Sequence, residues 1–579
     1  MSTWVNKDSG EIISQGSIFT VFNLNMPLNT IHSQKDTADI RSLIFISFIA
    51  FLLLHHFFAF LGFYGMDDIN YARHAAKLAS GKPLLVNTAD HFELRWVTIY
   101  VTAFFYRIMG INDYSSCAFG ISTIILAGYF IKKILTPVPV LHYLLTLVLF
   151  FLNYQVLFAT HRIWADTGIC LFGFAAFYYY LQSRQGNNQV ALALSCSVCF
   201  FLLLITKETA ILFMPLIVFL FVRDIVKGQL LKFWPFAMLF STILLVAYLA
   251  IFKVQTGDWW YRYHLLRSNS SGGCNFDQLP SIETIKRIGY ALWLAFLMDG
   301  GLLFLIFGFC GYLYRVSVMP EEKYHQIAIA FFILLLSANF MSISSNSYVP
   351  LCQDTRHFLF IFPFSAICGS FMLQAYFNNP FKFWLLPALV GVATVLIFLL
   401  NGGEMKYIYL LICLVLLLPM IDRNKTGLFK NKMVFPAIIL ACFLIRPMYD
   451  LVYEKRGYYY DHKKLILSIS PGISRPSVIF TGDDLTAELS EYFLAFNTGP
   501  IRFKNVGRTD QFPRSLKEDT YFLVNNNYNP RLRDILSRFQ TIDNKPALLL
   551  KKRVGGTVLY KVNYLPVLDS LKQYVNFKL

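Results

Sequence analysis

Gly65-Met66-Asp67-Asp68-Ile69-Asn70-Tyr71-Ala72-Arg73-His74-Ala75 follows directly on the first long apolar run of the chain, residues 43–63. Charged side chains are costly at membrane depth and concentrate there at functional positions. The two aspartates also open an amphipathic stretch, where capping and the helix dipole favour acids in the first turn. A helix cap accounts for one of them. Two, side by side at the head of a long polar loop, point to chemistry at a membrane edge.

Composition agrees. Of the 579 residues, 56% are hydrophobic and 15% are charged, whereas a soluble domain carries about 25% charged residues. A soluble enzyme, a disordered tail and a small disulfide scaffold are all excluded. Thirteen apolar runs read as membrane spans: 43–63, 114–131, 138–157, 167–182, 190–206, 209–222, 233–252, 288–313, 325–341, 357–376, 384–400, 407–421 and 433–449. A further run, 96–110, is read as an interfacial or re-entrant helix within the first outer loop, 64–113. With it left out, every short cytoplasmic connection holds a base: Lys132-Lys133, Arg184, Arg223/Lys227/Lys232, Arg315/Lys323, Lys382 and Arg423/Lys425/Lys430/Lys432, as the positive-inside rule requires. The expected organisation is a cytoplasmic segment (1–42), a polytopic α-helical module (43–449) and a small outer α/β domain (450–579). In that last domain strand-like runs near 477–481, 501–506, 520–524, 547–551 and 557–562 alternate with helical ones at 485–496 and 530–539. This predicts a multi-pass protein of the cell inner membrane, N-terminus cytoplasmic and C-terminal domain periplasmic.

The net charge of +17 divides between the two parts. Residues 451–579 carry 20 basic and 12 acidic side chains, a net +8, which leaves +9 for the membrane part. Cytoplasmic anchors and outer bases facing phosphate account for it, so no nucleic-acid partner is needed. Ten cysteines are too few for a disulfide framework. Cys196 and Cys199 read as packing residues, and Cys274 with Cys352 as a candidate outer disulfide.

The remaining charged residues gather at the outer ends of spans. The first loop ends in His91-Phe92-Glu93-Leu94-Arg95-Trp96, and the second is Thr160-His161-Arg162-Ile163-Trp164-Ala165-Asp166. Lys207-Glu208 mark the third, a pair that a local salt bridge would also explain. The fourth, 253–287, holds Trp259-Trp260-Tyr261-Arg262-Tyr263-His264, and the fifth holds Asp354-Thr355-Arg356-His357. Carboxylate and imidazole suit a divalent cation, and arginine suits phosphate.

In this order the features resemble the GT-C glycosyltransferases. More closely, they are similar to the branch with the protein O-mannosyltransferases and the lipid A aminoarabinose transferase (glycosyltransferase family 39-like). The resemblance covers roughly residues 40–380 by motif order and implies a polyprenyl-phosphate-sugar donor with an active site on the outer face. By that resemblance Asp67 takes the catalytic aspartate's place, Asp68 replaces a neighbouring glutamate, and Asp166 is the aspartate of the second loop. Glu93 falls on a glutamate that can ligate a metal, with His264 as second ligand, so a divalent ion is an expected cofactor. Lys207 lies in Ile205-Thr206-Lys207-Glu208 where the family has Leu-Thr-Lys-Gly. Arg356 opens Arg356-His357-Phe358-Leu359-Phe360-Ile361-Phe362-Pro363, matching Arg-Tyr-Leu-x-x-x-Pro. Departures stand at Leu94-Arg95-Trp96, where the family has prolines, and at Glu208, where it has glycine.

The implied partners are a polyprenyl-phosphate-linked sugar, a lipid, glycan or protein acceptor, and membrane lipids. Displacement at an anomeric carbon needs a base near the acceptor, Asp67, and positive charge on the leaving phosphate from Arg95, Lys207, Arg356 or a metal. A transporter or flippase would place its charges at mid-span. A polysaccharide polymerase stands closer in chemistry and remains the second alternative.

Overall fold

All thirteen apolar runs fold as helices. The structure, a computed structural model, describes residues 34–63, 65–83, 90–186, 188–269, 276, 279–344, 347–421, 434–452, 457–508, 519–525, 541–542, 545–546 and 548–563. The chain runs through α1 (Gln34–Ala59), α2 (Met66–Ala79), α3 (Trp96–Met109), α4 (Asp113–Ile134), α5 (Val140–Phe151), α6 (Tyr154–Ala159), α7 (Ala165–Ser183) and α8 (Gln189–Thr206). Helices Met214–Val226, Phe233–Thr256, Leu292–Asp299, Gly301–Leu313, Glu322–Phe340, Phe362–Asn378, Leu385–Leu399, Met405–Ile421 and Val434–Val452 complete the apolar set.

Among the described residues, eight helices are long and apolar enough to cross a membrane. A ninth span is broken: Ser281–Asp299 and Gly301–Leu313 meet at 114°, with Gly300 between them at φ +83°. The other four runs, within α5, α7, Leu385–Leu399 and Met405–Ile421, are shorter or less apolar. The run at 138–157 divides at Leu152-Asn153, where the Asn153 side chain accepts from the Gln155 amide at 2.9 Å and starts α6. The run at 96–110 folds as α3, 14 residues long, about 21 Å at 1.5 Å per residue and short of a bilayer core.

Helix Phe362–Asn378 is the centre of the bundle, and nearly all of it is buried. Gly308 and Gly311 let helix Gly301–Leu313 lie directly on it; a Cβ at Gly311 would stand 2.3 Å from the Cys368 carbonyl oxygen. Small residues at such crossings are how helices approach closely in membranes. Cys196 is buried and both Cys196 and Cys199 are free thiols, as packing residues would be. Cys352 is disulfide-bonded; Cys274, the expected helix 530–539 and the loop holding Arg423, Lys425, Lys430 and Lys432 lie outside the described residues.

The C-terminal domain is the expected small α/β unit. Its strands are β1 (Ser477–Thr481), β2 (Ile501–Asn505), β3 (Asp519–Asn525), β4 (Thr541–Ile542), β5 (Lys545–Pro546), β6 (Leu548–Val554) and β7 (Thr557–Val562). The main sheet has order β2-β1-β3-β7-β6, parallel over β2-β1-β3 and antiparallel beyond. It docks on one end of the bundle through helices Gly457–Ile469 and Asp484–Phe493. The Tyr459 hydroxyl donates to Asp113 Oδ1 at 2.7 Å and the Lys463 ammonium stands 2.7 Å from Asp113 Oδ2. Arg73 of α2 pairs with Glu491 at 3.1 Å. Gly62, at φ +84°, makes the turn from α1 toward α2, and a Cβ there would stand 2.1 Å from the Tyr459 ring. Gly62→Ala combines that overlap with a left-handed backbone, and is expected to cost about 1–3 kcal/mol, read as a lowered thermal midpoint of the full-length protein.

Candidate active site

The charged residues at the domain-bearing end form a closed ring. It begins on α2, whose acids Asp67 and Asp68 fill the first turn and whose Ile69, Ala72 and Ala75 are buried. Asp67 Oδ2 accepts from Arg356 Nη2 at 2.9 Å. Arg356 Nε stands 2.9 Å from Asp354 Oδ2, and its guanidinium lies 5.0 Å from the Trp164 ring centre. The next residue, His357, places Nδ1 3.0 Å from Asp166 Oδ1, and the same oxygen accepts from Lys207 Nζ at 2.8 Å. Adjacent Glu208 pairs with Arg95 at 2.8 Å. Arg95 donates to the Tyr71 hydroxyl, one helical turn after Asp67, which closes the ring on α2.

Local backbone explains how these side chains reach inward. Lys207 is extended, φ −162° and ψ 151°, between α8 and a 3-10 turn, Glu208–Phe213. That turn leads into Met214-Pro215, and a second one, Thr355–Ile361, leads into Phe362-Pro363. Proline lacks an N–H and clashes with the carbonyl four residues back, so the chain before it tightens instead of continuing as α-helix. Each of the pairs Lys207-Glu208 and Arg356-His357 therefore opens a span on a short turn. Asp354 caps the second turn by accepting from the Arg356 amide at 3.1 Å. Asp90 caps the Glu93 turn by accepting from the Phe92 amide at 2.9 Å.

Seven of the eight expected site residues have clear places. Asp67, Asp166, Arg95, Lys207 and Arg356 are members of the ring. Asp67 is its open member, with 34% of the side chain exposed, whereas Asp68 is 1% exposed. Asp68 Oδ2 lies 3.4 Å from Arg162 Nη1, and Oδ1 accepts from the Ile163 amide at 3.0 Å. Asp68 thus fastens α2 to the second loop. Glu93 is buried with Oε1 3.2 Å from His74 Nδ1. The eighth, His264, is exposed and pairs with Asp258 at 2.7 Å. Among the described residues, no group of three His, Cys, Asp or Glu side chains converges as a metal site.

Sequence reasoning gave no role to His357, Glu208, Tyr71 or Trp164. The one sequence signal for His357 is its adjacency to Arg356 in the fifth loop. Glu208 does not pair with its neighbour Lys207, because the extended Lys207 sends the two side chains to different partners.

Burial pushes the Asp68 carboxyl up to about 6, against the opposing pull of Arg162 and the Ile163 amide. Burial also pulls the Lys207 ammonium below its usual value, opposed by Asp166.

No protein-family model matches the chain, and no curated relative matches it. Solved structures do. ArnT from Cupriavidus metallidurans in the apo state superposes with a TM-score of 0.55 at 13% identity, over 91% of this chain and 98% of that one. The fold is that of the GT-C glycosyltransferases. The same ArnT bound to undecaprenyl phosphate gives a TM-score of 0.53 at 13% identity, over 90% and 98% of the two chains. The fold class expected from the sequence, a polytopic GT-C helical module with a C-terminal α/β domain, is the one observed.

A carboxyl with a raised folded-state value binds protons more tightly folded than unfolded, so its stabilising contribution is full at low pH and is lost as pH rises. Relative to Asp68→Asn, the native protein should lose up to about 3 kcal/mol between about pH 4 and pH 6, measured as the difference in thermal midpoint across that window.

Proposed function

We propose that the protein transfers a sugar from a polyprenyl-phosphate donor to a lipid, glycan or protein acceptor at the outer face of the inner membrane. The observation that carries this reading is the ring itself: three cations from three loops, Arg95, Lys207 and Arg356, gathered beside one half-open carboxylate, Asp67. The fold shared with an ArnT bound to undecaprenyl phosphate supports a lipid-linked donor whose chain stays among the helices.

In this mechanism the donor phosphate takes Arg356 in place of Asp67, which frees the carboxylate. Asp67 then accepts the proton from the acceptor hydroxyl or amine as that atom bonds the anomeric carbon. The bond from the anomeric carbon to the phosphate oxygen breaks, and its electron pair leaves on that oxygen, neutralised by Arg356 and Lys207. One base and one displacement invert the anomeric centre. A retaining route would use a second carboxylate as nucleophile, and Asp68 and Asp166 are both buried and engaged. Asp166 and His357 hold Lys207 in place. Glu93 and His264 carry no step. The orientation that fits has the N-terminus cytoplasmic, with the ring and C-terminal domain outside.

Asp67→Asn is expected to lower kcat by about 10²–10⁴-fold with an unchanged thermal midpoint, in full-length protein given a polyprenyl-phosphate-sugar donor and envelope acceptors. Transfer at the native rate would remove Asp67 as the base. The ring lies at an end of the bundle and not at mid-span, where transport sites lie, which disfavours a transporter.

A further inference from the structure

At the end of the bundle opposite the ring, a cavity of about 230 Å³ opens between the last turn of α4, the last turn of α7 and the first turn of helix Glu322–Phe340. Lys133 and Lys323 line it together with Gln182, Gln185, Tyr178 and Leu181. The sugar-transfer reading uses none of these residues.

Three neighbouring bases at this end have carboxylate partners. Arg184 and Arg223 pair with the buried Asp224 at 2.6 and 3.2 Å, and Lys227 reaches Glu322 at 3.8 Å. The cavity differs. Lys323 has one carboxylate partner, Glu321 at 2.8 Å, and no described carboxylate pairs with Lys133, whose ammonium lies 5.3 Å from the Tyr129 ring centre. Two lysines against one glutamate leave the cavity with one positive charge in excess, flanked by amides that can donate to an anion's oxygens.

One turn and two turns back along α4 from Lys133, Tyr129 and Leu126 are exposed. Residues spaced by three or four lie on one helix face, so an apolar strip leads from the cavity along the outside of the bundle. A charged cavity continuous with an exposed apolar strip matches an amphiphile with a singly charged head, and basic pockets between spans bind anionic lipid heads. We propose that this cavity binds the phosphodiester of an anionic membrane phospholipid, with Lys133 and Lys323 on the phosphate and the acyl chains along Tyr129 and Leu126. The shared chemistry with a soluble phosphate is the oxyanion; the strip favours the lipid.

The test is native mass spectrometry of the full-length protein in detergent, titrated separately with short-chain phosphatidylglycerol, short-chain phosphatidylcholine and inorganic phosphate. Phosphatidylglycerol is expected to bind about tenfold more tightly than the zwitterionic lipid. Lys133→Gln and Lys323→Gln should each weaken it by about fivefold, while Lys382→Gln, an exposed base at the same end, leaves it unchanged. Equal binding of the two lipids, or equal loss in all three variants, overturns the site. Inorganic phosphate binding as tightly as phosphatidylglycerol overturns the lipid assignment.

Discussion

Asp166 is the constraint on which the rest of the site depends. It opens α7 with a buried carboxylate, held by Lys207 from the turn after α8 and by His357 from the turn before helix Phe362–Asn378. An unpaired carboxylate at that depth would cost several kcal/mol, so the three loops must meet for the bundle to be stable. Once they meet, the residues beside them are placed as well. Glu208 follows Lys207 and reaches Arg95; Arg356 precedes His357 and reaches Asp67. Stability and site geometry are set by the same contacts.

Much of the fold was legible in the sequence because apolar runs and the distribution of bases determine where helices form in a membrane protein. The short α3 followed from the same reading, and the C-terminal α/β domain from its alternating strand-like and helical runs; the order of the sheet did not. The break at Gly300 and the shortness of Leu385–Leu399 did not, since a long apolar run looks alike whether the helix within it is straight, bent or short. At the site, residue type and position near span ends identified the ring's cations and Asp67. Partner choice was not legible. Lys207 and Glu208 are neighbours with opposite charges that serve different loops, and only the backbone at Lys207 separates them. Asp67 and Asp68 are equivalent in sequence, yet about 100° of helix rotation leaves one half-open and buries the other against Arg162.

The C-terminal domain belongs to this arrangement. Arg73 is six residues beyond Asp67 on α2 and pairs with Glu491 of helix Asp484–Phe493, while Tyr459 and Lys463 hold Asp113 at the start of α4. The short helix bearing Asp67 is therefore fixed from three sides: the second loop through Arg162, the first loop through Arg95, and the C-terminal domain through Arg73. A helix of 14 residues would be marginal alone; tertiary contacts hold its open carboxylate in position.

On the proposed function, this ring receives the phosphate of a lipid-linked donor. It is tested most directly by the affinity of the full-length protein for undecaprenyl phosphate and for undecaprenol, each measured with native Arg356 and with Arg356→Gln. The phosphate lipid is expected to bind more tightly than the alcohol, and Arg356→Gln to weaken it by about tenfold or more while leaving the alcohol unchanged. Equal affinity for both lipids, or phosphate binding indifferent to Arg356, would contradict it.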